Sequence, residues 1–257
     1  MLGRVTGLLV AVALLAGCAA DAADADEREA ASDAAEIVGT TLADGEHPEV
    51  VRLLLKSPAG DATCTGTLIG AHTVLTARHC VESRTDLATG ACTITALVDR
   101  SGRAALDGAD AYPAARCDWV PSSGLFASQS DVATIRLARD VAGVAPATLA
   151  DEATPTGAYT AYGYGSFGAA PTFGETCEHR SDGHKRKASY RGGLGFKLGQ
   201  VTCPGDSGGP HFVQNTSIVA GVTSTGFALL VAYETNASVA RHHAWLAGML
   251  RAYGDAR

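Results

Sequence analysis

Short runs of strand-forming residues, each closed off by turn residues, set the tightest limit on how this chain can fold. From residue 37 onward they are Val50–Leu55, Gly66–Leu75, Cys92–Val98, Val132–Leu137, Tyr159–Tyr162, Ile218–Thr223 and Leu229–Tyr233. Many short strands with Gly, Pro and Asp between them predict a sandwich or a barrel. Thirty glycines, two methionines and six phenylalanines in 257 residues favour a turn-rich β fold over a helical bundle. One segment has helical spacing: Val239, His242, Trp245, Leu246, Met249 and Leu250 recur at intervals of three and four, with Asn236 or Ser238 as the cap. The stretch 142–155 is small and Pro-containing and reads as a linker between two halves. No repeat of 20–50 residues is present.

The first eighteen residues read as an address. Arg4 precedes an apolar run, Leu8–Ala16, that is too short to span a bilayer as a helix and has the form of a secretory signal. Its end, Leu15-Ala16-Gly17-Cys18, resembles the lipobox of bacterial lipoproteins. That resemblance implies cleavage before Cys18 and acylation of it. Ala19 beside the cysteine points to an outer membrane, so the expected location is the cell envelope. Several acyl chains on one residue suffice for stable anchoring.

Residues 18–36 are mostly Ala, Asp and Glu and cannot bury enough surface to order themselves, so they read as an acidic tether. The formal charge is -7, and residues 37–257 hold 18 basic and 20 acidic side chains. A nearly neutral body carries no electrostatic footprint for nucleic acid. Six cysteines remain after Cys18: Cys64, Cys80, Cys92, Cys117, Cys177 and Cys203. In an exported chain they predict three disulfides, with fifteen pairings open. No CxxC or HExxH occurs, so neither a zinc site nor another cofactor is expected. His242 and His243 read as helix surface, and the run His184-Lys185-Arg186-Lys187 reads as a solvated loop.

Three segments carry the chemistry: Leu75-Thr76-Ala77-Arg78-His79-Cys80, Ser130-Asp131-Val132-Ala133-Thr134-Ile135-Arg136-Leu137 and Cys203-Pro204-Gly205-Asp206-Ser207-Gly208-Gly209-Pro210. A serine hydroxyl is a poor nucleophile unless a neighbour takes its proton, which suits imidazole, and a carboxylate can orient that imidazole. In the order His, Asp, Ser these segments closely resemble the chymotrypsin-like (trypsin-fold) serine proteases, from Ile37 to the final helix. The family supplies the general template of the triad. The resemblance implies an all-β fold of two antiparallel six-stranded barrels with a C-terminal α-helix. The expected boundaries are about 37–141, 156–237 and 238–252. It implies His79 as base, Asp131 as orienting carboxylate, Ser207 as nucleophile, and the N–H groups of Gly205 and Ser207 as oxyanion hole. Protein or peptide substrates and a monomeric enzyme follow from the same resemblance.

Gly205-Asp206-Ser207-Gly208-Gly209 also fits the G-x-S-x-G elbow of α/β-hydrolases. That elbow requires a helix after the serine, with acid and histidine later in the chain. Two glycines and a proline cannot sustain one, and Asp255 follows His242 and His243, the wrong order.

Ile37-Val38-Gly39-Thr40 resembles the family's mature N-terminus. The resemblance implies a zymogen cut after Glu36, with the freed Ile37 amine pairing with Asp206. A cut there separates the body from the lipid on Cys18 and releases it. Val201, six residues before the serine, falls at the base of the primary pocket, where a basic-specific relative carries Asp. Ser224, Thr225 and Gly226 fall on one pocket wall and Glu234 on another, so the expected preference is apolar or mixed. The resemblance pairs Cys64 with Cys80. No cysteine follows Cys203, so the family's usual bridge from the serine loop to the far pocket wall cannot form; Cys203 with Cys177 and Cys92 with Cys117 is one pairing of the remaining four, and their pairing stays open. A non-catalytic binding protein on the same scaffold is the alternative.

Overall fold

The computed structural model describes residues 43, 45–56, 60–100, 110–121, 127–166, 183–198, 202–228 and 232–255, with the backbone alone for 196–198, 225–228 and 232–234. All lie in one compact unit, 33–257. Cys18, Ile37, Cys177 and Val201 lie outside the described residues.

The first half is a closed barrel. Its strands are β1 (Val50–Leu55), β2 (Ala62–Leu68), β3 (Thr73–Thr76), β4 (Ile94–Leu97), β5 (Ala111–Trp119) and β6 (Ala133–Leu137), in the order β1-β2-β3-β6-β5-β4 with β4 returning to β1. Period-two burial explains the core face: Val51, Leu53 and Leu55 of β1 point inward, with Val74, Ile135 and Ala96 among their fellow core residues. The expected run Gly66–Leu75 divides into β2 and β3 around a tight turn. Closure leaves this half no sheet edge among its six strands.

The second half is a sheet of β8 (Ala158–Gly163), β9 (Arg186–Arg191), β10 (Phe196–Leu198), β11 (Pro210–Val213), β12 (Ile218–Ala228) and β13 (Ala232–Ser238), ordered β10-β13-β12-β11-β8-β9. The stretch read as a linker contributes a two-residue strand, β7 (Thr148–Leu149), parallel to β12. Backbone groups there need partners, and the start of β12, before its pairing with β13 begins, supplies them.

The basic run requires correction. It is not a solvated loop: Lys185 is fully buried, Arg186 is 5% exposed, and Arg186 and Lys187 begin β9. Specific acceptors make this burial tolerable. Lys185 Nζ donates to the His47 carbonyl at 2.9 Å and lies 5.9 Å from the centre of the Tyr164 ring. Lys187 Nζ donates to both Glu46 oxygens at 2.6 and 2.7 Å.

Two helices are described. Helix α1 (Arg78–Val81) is one turn after β3, and α2 (Val239–Tyr253) ends the fold. Ser238 is the cap of α2, its hydroxyl accepting from Arg241 N, whereas Asn236 lies within β13. Gly254 ends the helix at φ 89°, its N–H donating to Arg251 O, with Asp255 N–H reaching Leu250 O at 2.8 Å. Beyond it the Asp255 carboxylate accepts from Ala71 N, His72 N and Thr73 Oγ1 at 3.0, 3.1 and 2.6 Å. Gly70 is required at this contact, because a Cβ there would lie 2.3 Å from Asp255 Oδ2. The chain's last described residue thus pins the turn between β2 and β3. Among the described residues no helix is long and apolar enough to cross a membrane.

Candidate active site

His79 sits on α1, directly after the buried strand β3. The next residue, Cys80, is joined to Cys64 of β2 with its Cα 6.3 Å away. This staple fixes the short helix against the barrel and leaves the His79 side chain 45% exposed. It closes a loop of separation 16, worth about 3 kcal/mol in the chain-entropy picture. A second bridge joins Cys92 to Cys117. Cys203 is also disulfide-bonded, to a partner outside the described residues.

Asp131 lies between a 3-10 turn, Ala127–Ser130, and β6. Helix α2 braces that turn: Arg241 donates to the Gln129 side chain, and His242 Nε2 donates to the Gln129 carbonyl at 2.8 Å. The Asp131 carboxylate accepts from His79 Nδ1 at 2.7 Å, from His79 N at 3.0 Å and from Ser224 Oγ at 2.6 Å. Burial by itself would raise this carboxyl, but the His79 hydrogen bond and charge, with the Ser224 hydroxyl, hold it below the usual carboxylate value. An ionised carboxylate only accepts, so Nδ1 carries the proton of the neutral ring and Nε2 keeps its lone pair.

The hydroxyl of Ser224, a residue expected on a pocket wall, is turned to Asp131. The register between β12 and β13 shifts between Thr223 and Thr225, leaving Ser224 as the extra residue of a bulge. Bulges re-aim side chains in this way. Sequence reading missed this partner, and a residue 93 positions from Asp131 leaves no local signal of the contact.

Ser207 is delivered by the turn 202–209. Cys203 N donates to Asp206 Oδ2 at 2.8 Å, Asp206 N to Cys203 O at 3.0 Å and Gly209 N to Asp206 O at 2.8 Å. Two glycines are steric necessities. Gly205 has φ +101° and a Cβ there would meet Gly165 Cα at 2.8 Å; Gly208 has φ +83° and its Cβ would meet Thr76 Oγ1 at 2.1 Å. Asp206 is fully buried and its Oδ1 accepts from Gly165 N at 2.7 Å.

The two halves meet here. Thr65 N donates to Ser207 O at 2.8 Å and Thr65 Oγ1 to Gly205 O at 2.9 Å, so the residue after Cys64 clamps the serine turn. Cys80 Sγ lies 3.6 Å from Ser207 O, a contact without a hydrogen since the sulfur is in a disulfide. On the other side Gly208 N donates to Thr223 O and Thr223 N to Gly209 O at 2.8 and 2.9 Å. Among the described residues the Ser207 hydroxyl is not hydrogen-bonded to His79. Such contacts are often long without substrate and tighten in its complex. Among the same residues the N–H groups of Gly205 and Ser207 have no acceptor, although those of Asp206, Gly208 and Gly209 do.

Donor atoms of Cys64, His79 and Cys80 lie within 4.8 Å of one another. The two sulfurs are bonded to each other and offer no thiolate, so the cluster is unsuited to a metal. Thr225, Gly226 and Glu234 lie on the paired ends of β12 and β13, with Gly226 opposite Glu234.

A family model described as Trypsin matches residues 36–245. The chain belongs to the trypsin family. Among solved structures, it is similar to neuropsin, a serine protease expressed in the limbic system of mouse brain. That match has 19% identity and a TM-score of 0.58, covering 80% of this chain and 96% of that one. It is also similar to a scabies mite inactivated protease paralogue, at 22% identity and a TM-score of 0.62, covering 83% of this chain and 99% of the other. No curated protein matches the chain.

Proposed function

We propose that this protein is a serine endopeptidase using His79, Asp131 and Ser207. The observation that carries the reading is the His79–Asp131 pair at 2.7 Å beside a serine turn clamped onto Cys80 and Thr65. His79 Nε2 takes the Ser207 proton as Oγ attacks the peptide carbonyl. Asp131 holds the ring tautomer and stabilises the imidazolium. The oxyanion forms against the N–H groups of Gly205 and Ser207, whose lack of a protein acceptor suits that task. The imidazolium then protonates the leaving amine, and water, deprotonated by His79, hydrolyses the acyl-enzyme.

The chain is made as a zymogen tethered through lipid on Cys18 and is cut at Glu36–Ile37. The new Ile37 ammonium pairs with Asp206. The Asp206 carboxylate is fully buried next to Ser207 and accepts from Cys203 N and Gly165 N, so an ammonium joining it would act directly on the serine turn. The same cut frees the body from the membrane.

Phenylmethylsulfonyl fluoride, with mass spectrometry of the N-terminus, tests both parts. Ser207 of the processed protein becomes sulfonylated and the Ser207→Ala protein does not. No labelling after processing overturns the enzymatic reading in favour of a silent binding scaffold. An intact acylated Cys18 on the labelled species overturns release.

A further inference from the structure

A buried polar row crosses the second sheet directly behind the serine turn. Tyr190 on β9 and His211 on β11 are bonded at 2.7 Å between hydroxyl and Nδ1. His211 Nε2 is bonded to Thr223 Oγ1 of β12 at 2.9 Å. His211 is fully buried and Thr223 is 3% exposed. Opposite Thr223 in the β12–β13 register stands Asn236 of β13, so the two side chains share one face. Asn236 is 1% exposed, and among the described residues neither Nδ2 nor Oδ1 of its amide has a hydrogen-bond partner. Its neighbour across the ladder, the Thr223 hydroxyl, is bonded to His211 and makes no bond to the amide.

A buried amide with donor and acceptor both unmatched is rare in a native protein. Its location gives the reason. The paired strand ends beyond Thr223 and Asn236, with Thr225 opposite Thr235 and Gly226 opposite Glu234, are those the family resemblance assigns to the walls of the primary pocket. The bulge at Ser224 makes Thr223 and Asn236 the next step along the same two strands.

We propose that Asn236 is the specificity-determining residue for the substrate side chain on the acyl side of the cleaved bond, and that it selects a carboxamide. The proposal rests on the proteolytic reading above and adds its substrate class. An unpaired N–H and an unpaired C=O call for a partner offering one acceptor and one donor. A glutamine side chain offers both. A carboxylate meets the N–H group and leaves the oxygen facing another oxygen, whereas an ammonium does the reverse. An apolar side chain leaves both unmet, and sites with buried polar groups discriminate strongly against ligands that leave them unpaired.

The test measures calorimetric binding to the processed protein carrying Ser207→Ala, using hexapeptides that differ only in a C-terminal Gln, Met, Glu or Lys. The Gln peptide is expected to bind at least tenfold more tightly than the Met peptide. Asn236→Leu, which removes an unmatched buried amide and preserves volume, abolishes or reverses that order. Asn236→Asp, a second variant with acceptors only, lowers the Gln preference and raises binding of the Lys peptide. Equal affinities for Gln and Met peptides, including no binding of either, overturn the proposal, as does a Gln preference that survives both variants. Sulfonyl fluoride labelling of the processed protein with Ser207 intact separates the two readings. Labelling without a Gln preference sinks the specificity alone. A Gln preference without labelling sinks the peptidase and leaves recognition by Asn236 standing.

Discussion

Two histidines in this molecule occupy opposite chemical settings. His79, at the rim of the closed barrel, has one nitrogen held by a carboxylate and the other without a protein partner among the described residues. His211, inside the second sheet, has both nitrogens occupied by neutral hydroxyls and no exposed surface. The first arrangement leaves a lone pair available and a charge ready to stabilise its protonated form. The second spends the whole ring on structure. Residue type alone therefore says little about reactivity; what matters is which ring atom is left over and what faces the other.

The largest effects should separate these settings most sharply. Ser207→Ala or His79→Ala is expected to lower kcat for peptide hydrolysis on the order of 10^6-fold. Asp131→Asn, which permits the wrong tautomer, is expected to lower it on the order of 10^4-fold. A change at His211 should act on folding instead. Steady-state kinetics on the processed enzyme check the first pair, and a His211 variant as inactive as His79→Ala would erase the contrast.

Replacing Cys64 and Cys80 together by serine removes the staple beneath His79. It should cost about 3 kcal/mol, read from urea unfolding. His211→Phe breaks its bonds to the Tyr190 and Thr223 hydroxyls and should cost about 2 kcal/mol in the same assay. Ser224→Ala removes one of three donors to Asp131. It should cost about 1 kcal/mol and raise the carboxyl, which a pH titration of Asp131 by NMR would register.

Asp131 also gives an acid dependence. Its carboxyl is lower in the folded protein than in the unfolded chain, so its contribution is complete above the unfolded value of about 3.9 and is lost as pH falls through the folded value. Stability measured between pH 5 and pH 2 should fall less steeply in Asp131→Asn.

The string around Ser207 was legible because its glycines answer local steric demands: positive φ at Gly205 and Gly208, and neighbours within 3 Å of any added Cβ. The C-terminal helix was legible from its spacing, and the first barrel in part from its apolar runs. Strand β5 was not anticipated, since only Tyr112 and Cys117 of its nine residues are buried. Strand β9 hid behind its charges. A run of lysine and arginine announces solvent unless one knows that the His47 carbonyl and the Glu46 carboxylate, about 140 positions earlier, are waiting for it. Thr65 and Ser224 illustrate the same limit, because their bonds to the serine turn and to Asp131 join segments that only the completed fold brings together.

The Asp255 carboxylate, seated on the turn between β2 and β3, has a consequence for the order of assembly. Strand β3 leads directly to His79, so the segment bearing this imidazole receives anchoring bonds from a residue made more than 180 positions later. During synthesis the first barrel can collapse early, but it stays unlatched until Asp255 has been made and has folded back onto it. A chain stalled or clipped before Asp255 would carry every reactive group and still lack the fastening that holds one of them in place.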